Sequence, residues 1–122
     1  MTSSQQGTIV CIRHKGRPYS HWCVLDGGSG CIHVNKKRNM ITLDPLEKVL
    51  RNSVKVDFII EDDETRMRNW ERASSQIGRP YKYGLITSNC ENWVNEIRYG
   101  ESTSHQVGKI AVYISMLSLL LF

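Results

Sequence analysis

No Cys-x-x-Cys pair and no Cys/His spacing typical of a zinc site occurs in this 122-residue sequence, although it has four cysteines. The opening residues, MTSSQQG, form no apolar signal region. We therefore expect a reducing compartment, free thiols and no metal or other cofactor. Cys11, Cys23 and Cys31 lie in strand-like runs and are interpreted as small core residues.

Nucleic-acid motifs, long basic helices, internal repeats and low-complexity segments are also missing. The net charge of +4 favours anionic partners, either lipid headgroups or nucleic acid. The basic residues occur in short clusters, and a solvated face is the simpler interpretation of each cluster. Because no stacking platform or recognition helix is visible, we expect no specific nucleic-acid partner.

The length suits one domain with one core. We predict a flexible N-terminus over 1–7, a folded domain over 8–108 and an apolar tail over 109–122. Within the domain, apolar runs and turn signals predict an α+β fold with a small antiparallel sheet packed against helices. The predicted elements are strands at 8–13, 21–26, 30–35 and 54–60, and helices within 45–53, from 61 to 76, and from 88.

The helix predicted from 61 to 76 begins in the acidic run EDDE, which suits the first turn of a helix. Its apolar residues recur at helical spacing. We therefore predict four inward-facing side chains: Met67, Trp70, Ala73 and Ile77.

Two of the four histidines, His21 and His33, lie in the two strands of a predicted hairpin. A three-residue loop at 26–28 would pair position 21 with position 33, with the two Cβ atoms about 5 Å apart on one face. A loop with an even number of residues would place them on opposite faces. We predict the odd loop, because its glycines tolerate positive φ. A metal site of two histidines and one cysteine is conceivable, but a fourth ligand is not apparent.

The stretch TSNCENWVNEIRYG places the fourth cysteine, Cys90, in the first turn of a helix. Ser88 and Glu91 fit a capping box, and Gly100 fits the C-terminal stop. The spacing puts Cys90, Trp93, Val94 and Ile97 on one buried face. A thiol in this position feels the positive end of the helix dipole, which favours the reactive thiolate. Cys90 is therefore a candidate nucleophile if a base is within reach.

The final stretch, KIAVYISMLSLLLF, is almost wholly apolar. It is shorter than the roughly 20 apolar residues of a spanning helix. It could contact a membrane, pack in the core or form an oligomer interface. We favour membrane contact, through apolar side chains that include Ile110, Val112, Leu117, Leu120 and Phe122.

The blocks HWCVLDGGSGCIHV and ITSNCENWVNEIRYGESTSHQV together resemble the two motifs of the LRAT-like family. The match is closest to its phospholipase A/acyltransferase subgroup. The resemblance implies a circularly permuted papain-like fold and an acyl thioester drawn from a glycerophospholipid. It implies Cys90 as nucleophile, His21 as general base and His33 as the third member that orients the base. Tyr19 and the Cys90 backbone N–H are candidate oxyanion donors.

From this resemblance we expect a cytoplasmic protein, peripheral or tail-anchored at intracellular membranes, with phospholipid as substrate. The short segment between His33 and Cys90 also resembles picornaviral 2A proteins of the H-box/NC type. The alternative function is therefore a non-catalytic or weakly catalytic protein that acts in replication through membranes or host proteins.

Overall fold

A computed structural model describes residues 5–81 and 90–100. The elements are β1 (Ile9–His14), β2 (Ser20–Leu25), β3 (Gly30–Asn35), β4 (Met40–Pro45), α1 (Leu46–Val49), β5 (Ser53–Phe58), α2 (Asp63–Ser75) and α3 (Cys90–Tyr99). The predicted cap Ser88 and the apolar tail 109–122 lie outside the described residues. None of the described helices is long and apolar enough to cross a membrane.

The five strands form one antiparallel sheet in the order β4-β3-β2-β1-β5. This confirms the predicted α+β fold. Side chains alternate between the two faces of each strand, so each face carries its own apolar cluster. One face packs against α2 and α3 through Ile9, Val24, Ile32, Val34, Ile41, Ala73, Trp93, Val94 and Ile97. The other face of the sheet packs against α1 and the residue that follows α1, Leu50. The buried residues on this face are Val10, Ile12, Cys23, Leu25 and Cys31, and the partly buried residues packed against them are Leu46, Val49, Leu50 and Val56.

The hairpin of β2 and β3 has a register different from the predicted one. Leu25 pairs with Cys31, so the turn lies one residue later than predicted. Gly27, at φ +94°, makes this turn possible. The predicted pairing of His21 directly opposite His33 is therefore wrong. Because the shift is two residues in register, both histidines still share one face, as diagonal neighbours.

The inward face predicted for α2 is partly wrong. Ala73 is buried, whereas Trp70 is only half-buried, with its indole N–H donating to Asp26 Oδ1 at 3.1 Å. Met67 and Ile77 are 40% and 42% exposed.

A polar residue, Asn69, takes the central buried position of α2 instead. Its Nδ2 donates to Glu61 Oε1 at 3.0 Å and to the Gly7 carbonyl at 3.4 Å. These two bonds offset part of the cost of burying the amide, whose Oδ1 has no partner among the described residues. Hydropathy alone therefore misplaces the inward face of this helix.

Helix α3 agrees with its prediction. Cys90, Trp93, Val94 and Ile97 are all buried. Gly100 ends the helix at φ +72°, with its N–H donating to the Glu96 carbonyl at 2.8 Å.

A side chain of α2 hydrogen-bonds the backbone carbonyls at the C-terminal end of α3. Arg72 Nη1 donates to the Ile97 carbonyl at 2.9 Å and to the Arg98 carbonyl at 3.3 Å. A cation at this end also complements the helix dipole. The start of α3, with Cys90, is thus carried by a helix that is fixed at both its apolar face and its far end.

Strand β4 was not predicted from the sequence. It pairs with β3 along its whole length, from Met40 opposite Asn35 to Pro45 opposite Gly30. This pairing places Thr42 directly opposite His33. The strand therefore adds polar side chains beside the two histidines.

Candidate active site

A continuous chain of hydrogen bonds joins three strands on the α1 side of the sheet. His21 Nε2 lies 2.9 Å from His33 Nδ1. His33 Nε2 lies 2.7 Å from Asp44 Oδ2, which also accepts a 2.6 Å bond from Thr42 Oγ1. The two imidazole rings meet edge to face, with centroids 5.0 Å apart. The structure thus brings the two predicted histidines together and adds a carboxylate to them.

The partners in this chain determine where each proton sits. Hydrogen bonds from Thr42 and His33 lower the pKa of Asp44, so its carboxylate is ionised and can only accept. His33 must then carry its proton on Nε2, which leaves a lone pair on Nδ1. His21 consequently donates from Nε2, and its own Nδ1 carries the free lone pair. The chain presents His21 Nδ1 as a proton acceptor.

Both imidazoles are held in the neutral form. Burial lowers the pKa of His21 to about 3, and electrostatic interaction with His33, His14 and Arg17 lowers it further. Burial also lowers the pKa of His33, although Asp44 opposes this effect. A neutral His21 at pH 7 has its lone pair available, but it is a weak base until a reaction stabilises the imidazolium.

Cys90 lies close to β2, the strand that carries His21, but it is not part of the hydrogen-bond chain of the two histidines. Its thiol donates to the carbonyl of Ser20, the residue before His21, with the sulfur 3.4 Å from the oxygen. Among the described residues, neither histidine is a hydrogen-bond partner of the sulfur. Cys90, on α3, thus contacts β2 at Ser20, the position next to His21, without a hydrogen bond to His21 itself.

At Cys90, burial outweighs the effect of the helix dipole that favours the thiolate. Burial raises the pKa of the thiol to about 11. The backbone amides of Trp22, Glu91 and Cys90 lower the pKa, but by less than burial raises it. The first turn of the helix does offer positive dipoles to the sulfur, yet desolvation of the charged form prevails.

Tyr19 lies at the rim of a cleft over the histidines. Its hydroxyl accepts hydrogen bonds from Arg17 Nη1 and Lys36 Nζ, each at 3.3 Å. The Lys36 hydrogen bond is the largest cause of its lowered pKa. Its assignment as an oxyanion donor stays a prediction.

The cleft has a volume of about 440 Å³, with His21, His33 and Asp44 among its lining residues. Five basic residues also line it, namely Arg17, Lys36, Lys37, Lys48 and Arg51. Cys90 is not among the described residues that line the cleft. The arrangement gives a polar chain of histidines under a positively charged opening.

Sequence reasoning missed three polar residues of this site: His14, Thr42 and Asp44. His14 is half-buried, and its Nε2 donates to the Val49 carbonyl at 2.7 Å. Its ring centroid lies 6.2 Å from that of His21. The alternation in the run MITLD was the available signal for β4 and hence for Thr42 and Asp44.

The fold and site define a small α+β protein in which a cysteine at the start of a helix contacts the strand that carries one of two hydrogen-bonded histidines. The model of the lecithin retinol acyltransferase family matches residues 3–103 of the chain. The chain belongs to this family, which confirms the resemblance inferred from the sequence.

Curated relatives show the same relationship. Phospholipase A and acyltransferase 2 of Homo sapiens is 37% identical over 122 aligned positions, which cover 83% of this chain and 74% of that protein. Phospholipase A and acyltransferase 3 of Homo sapiens is 39% identical over 46 residues, 38% of this chain and 28% of that protein. Phospholipase A and acyltransferase 4 of Homo sapiens is 36% identical over 44 residues, which cover 36% of this chain and 27% of that protein. The matches to these last two relatives span less than a third of their length.

Proposed function

We propose that the protein is a thiol phospholipase A/acyltransferase that draws an acyl group from a glycerophospholipid onto Cys90. The observation that carries the proposal is the hydrogen-bond chain from Asp44 through His33 to His21. This chain leaves a lone pair on His21 Nδ1, one residue along β2 from the carbonyl that holds the Cys90 thiol. Family membership supports the same chemistry.

The proposed reaction begins from a neutral thiol and a neutral imidazole. In the proposed first step, the Cys90 thiol exchanges its hydrogen bond with the Ser20 carbonyl for one with His21 Nδ1. Proton transfer to His21 accompanies attack of the sulfur on the ester carbonyl, so no buried thiolate accumulates. The imidazolium then returns the proton to the leaving oxygen of the lyso-lipid. The ester C–O bond breaks as the thioester C–S bond forms.

The second half of the reaction releases the acyl group. His21 takes a proton from a water molecule as the water oxygen attacks the thioester carbonyl. The C–S bond breaks to give a fatty acid, and the imidazolium returns its proton to the sulfur of Cys90. A lyso-lipid hydroxyl or an amine in place of water would give acyl transfer. The backbone N–H of Cys90 and the hydroxyl of Tyr19 are proposed donors to the oxyanion. The basic lining of the cleft and the apolar run 109–122 suit a site that works at an intracellular membrane surface.

A turnover assay with mixed micelles of phospholipid tests this proposal. We expect wild-type protein to release fatty acid and lyso-lipid, and to form an acylated product when an amine acceptor is added. Cys90→Ala and His21→Gln should each reduce kcat by about 10³-fold or more, because each removes a group that acts in bond formation. Cys11→Ala, which removes another free thiol, is the matched control and should retain activity. Equal activity of Cys90→Ala and Cys11→Ala would contradict the proposal.

A further inference from the structure

The charges around the cleft are strongly unbalanced. Its five basic residues face one carboxylate, that of Asp44, which already binds His33 and Thr42. In residues 5–81 and 90–100, no carboxylate lies within ion-pair distance of Arg17, Lys37, Lys48 or Arg51. The opening of the cleft therefore carries net positive charge that the described part of the protein does not neutralise.

These basic residues interact electrostatically with the two histidines and the carboxylate that line the cleft. Arg17 contributes to the electrostatic environment of His21, and Lys48 to that of His33 and Asp44. On the β2 side, the Tyr19 hydroxyl accepts from Arg17 as well as Lys36, so both cations converge on one oxygen. An anion bound in this volume would interact favourably with several cations at once.

A choline headgroup fits the same cleft poorly. A quaternary ammonium is usually bound by the faces of aromatic rings. Among the described lining residues, Tyr19 is the one aromatic side chain apart from the histidines. The Tyr19 ring already has Lys36 Nζ 5.6 Å from its centroid. A second cation placed there would be repelled.

We propose that the cleft is a headgroup site selective for anionic glycerophospholipids, and that its basic residues bind the lipid phosphate. The proposal rests on the proposed function, since it assigns the lipid class that the acyl chemistry would use. An anionic headgroup offers the phosphate charge without the opposing cation of choline. Selectivity between headgroups then arises from charge at the rim and not from contacts with the acyl chains.

Binding can be measured without turnover in the full chain carrying Cys90→Ala. The probes are dihexanoyl phosphatidic acid, dihexanoyl phosphatidylserine and dihexanoyl phosphatidylcholine below their micellar concentrations, with inorganic phosphate as a separate arm. We expect both anionic lipids to bind about tenfold or more tightly than the choline lipid. Weaker binding of inorganic phosphate than of phosphatidic acid would identify the lipid as the ligand; equal binding would reduce the site to a simple anion site and overturn the lipid assignment.

A matched pair of variants locates the effect. Lys48→Gln with Arg51→Gln, added to Cys90→Ala, should weaken binding of phosphatidic acid about tenfold and leave the choline lipid little changed. Lys55→Gln with Arg68→Gln removes the same total charge outside the cleft and should change neither affinity. Equal loss in both double variants, or equal affinities for anionic and choline lipids, would overturn the proposal. Tighter binding of an RNA oligonucleotide than of phosphatidic acid would also overturn it.

The outcome separates this inference from the proposed function. If the cleft binds anionic lipid as expected but wild-type protein hydrolyses no phospholipid, the proposed enzyme activity fails and the headgroup site stands. If wild-type protein turns over phosphatidylcholine with a higher kcat/KM than both anionic lipids, the enzyme activity stands and the headgroup selectivity is wrong.

Discussion

Asp44 determines which nitrogen of His21 can accept a proton, although it lies two hydrogen bonds away. Its ionised carboxylate accepts from His33 Nε2, and that bond sets the orientation of the whole chain. In the proposed mechanism Asp44 is thus a positioning residue, and His21 is the group that moves a proton.

Asp44→Asn should lower kcat on the order of 10²-fold with little change in KM, because the amide can donate to His33 and allow the opposite tautomers. Nitrogen NMR of the imidazoles should show altered proton positions on His21 and His33. Asp57→Asn, at an exposed carboxylate on β5, is the control and should leave kcat and both spectra unchanged. Wild-type tautomers and kcat in Asp44→Asn would contradict the positioning role.

The sequence identified the chemically suggestive residues of this site but not their connections. His21 and His33 could be predicted on one face because the parity of a hairpin loop fixes the face. The two-residue shift in register could not be excluded, since the glycine-rich turn can close at neighbouring positions. Asp44 was missed because its strand follows a polar turn and ends at Pro45, which weakens the pattern. The raised pKa of Cys90 depends on burial by distant residues, which no local motif reports.

Helix α3 positions Cys90 through its buried apolar face. Trp93 is fully buried, and its indole N–H donates to Gln76 Oε1 at 2.9 Å. The helix is therefore bound both to the sheet and to the end of α2. Loss of this packing would release the element that carries the proposed nucleophile.

Trp93→Ala should lower the free energy of unfolding by about 3–5 kcal/mol, because it leaves a large cavity in the core. Met67→Ala, on the exposed face of α2, should change it by less than about 0.5 kcal/mol. Urea denaturation monitored by circular dichroism measures both values. A similar small effect in the two variants would contradict the packing described for α3.

The helices also differ in how well their sequences predict them. In α3 the buried residues are apolar at regular spacing apart from Asn92, so pattern and packing agree. In α2 a buried amide, Asn69, occupies the core position, whereas Met67 in the helix and Ile77 just after it are exposed. Periodicity identified the helix in both cases, but it identified the buried face correctly only where apolar side chains make the contacts.

For the whole molecule, burial of His21 couples stability to pH. The folded-state pKa of about 3 lies below the value of about 6.5 expected in the unfolded chain. The unfolded state therefore binds a proton first as the pH falls. The stability contributed by neutral His21 is complete above pH 6.5 and is lost progressively between pH 6.5 and pH 3.

The free energy of unfolding of the wild-type protein should accordingly fall by about 1 kcal/mol for each pH unit below 6.5, because of the titration of His21. His21→Gln cannot titrate and should show a shallower decline over the same range. Urea midpoints at pH 7, 6 and 5 for the two proteins give the comparison. Parallel pH profiles would mean that His21 titrates alike in the folded and unfolded states.

The most direct test of acyl transfer through Cys90 is mass spectrometry of the protein after incubation with a phospholipid of known acyl chain. Dioleoyl phosphatidic acid and dioleoyl phosphatidylcholine should both be supplied, so that headgroup preference does not decide the result. The proposed mechanism predicts an oleoyl adduct on the peptide containing Cys90, present in Cys11→Ala and absent in Cys90→Ala. Folded wild-type protein that hydrolyses the lipid with no such adduct at any time, or that carries the acyl group on another residue, would contradict it.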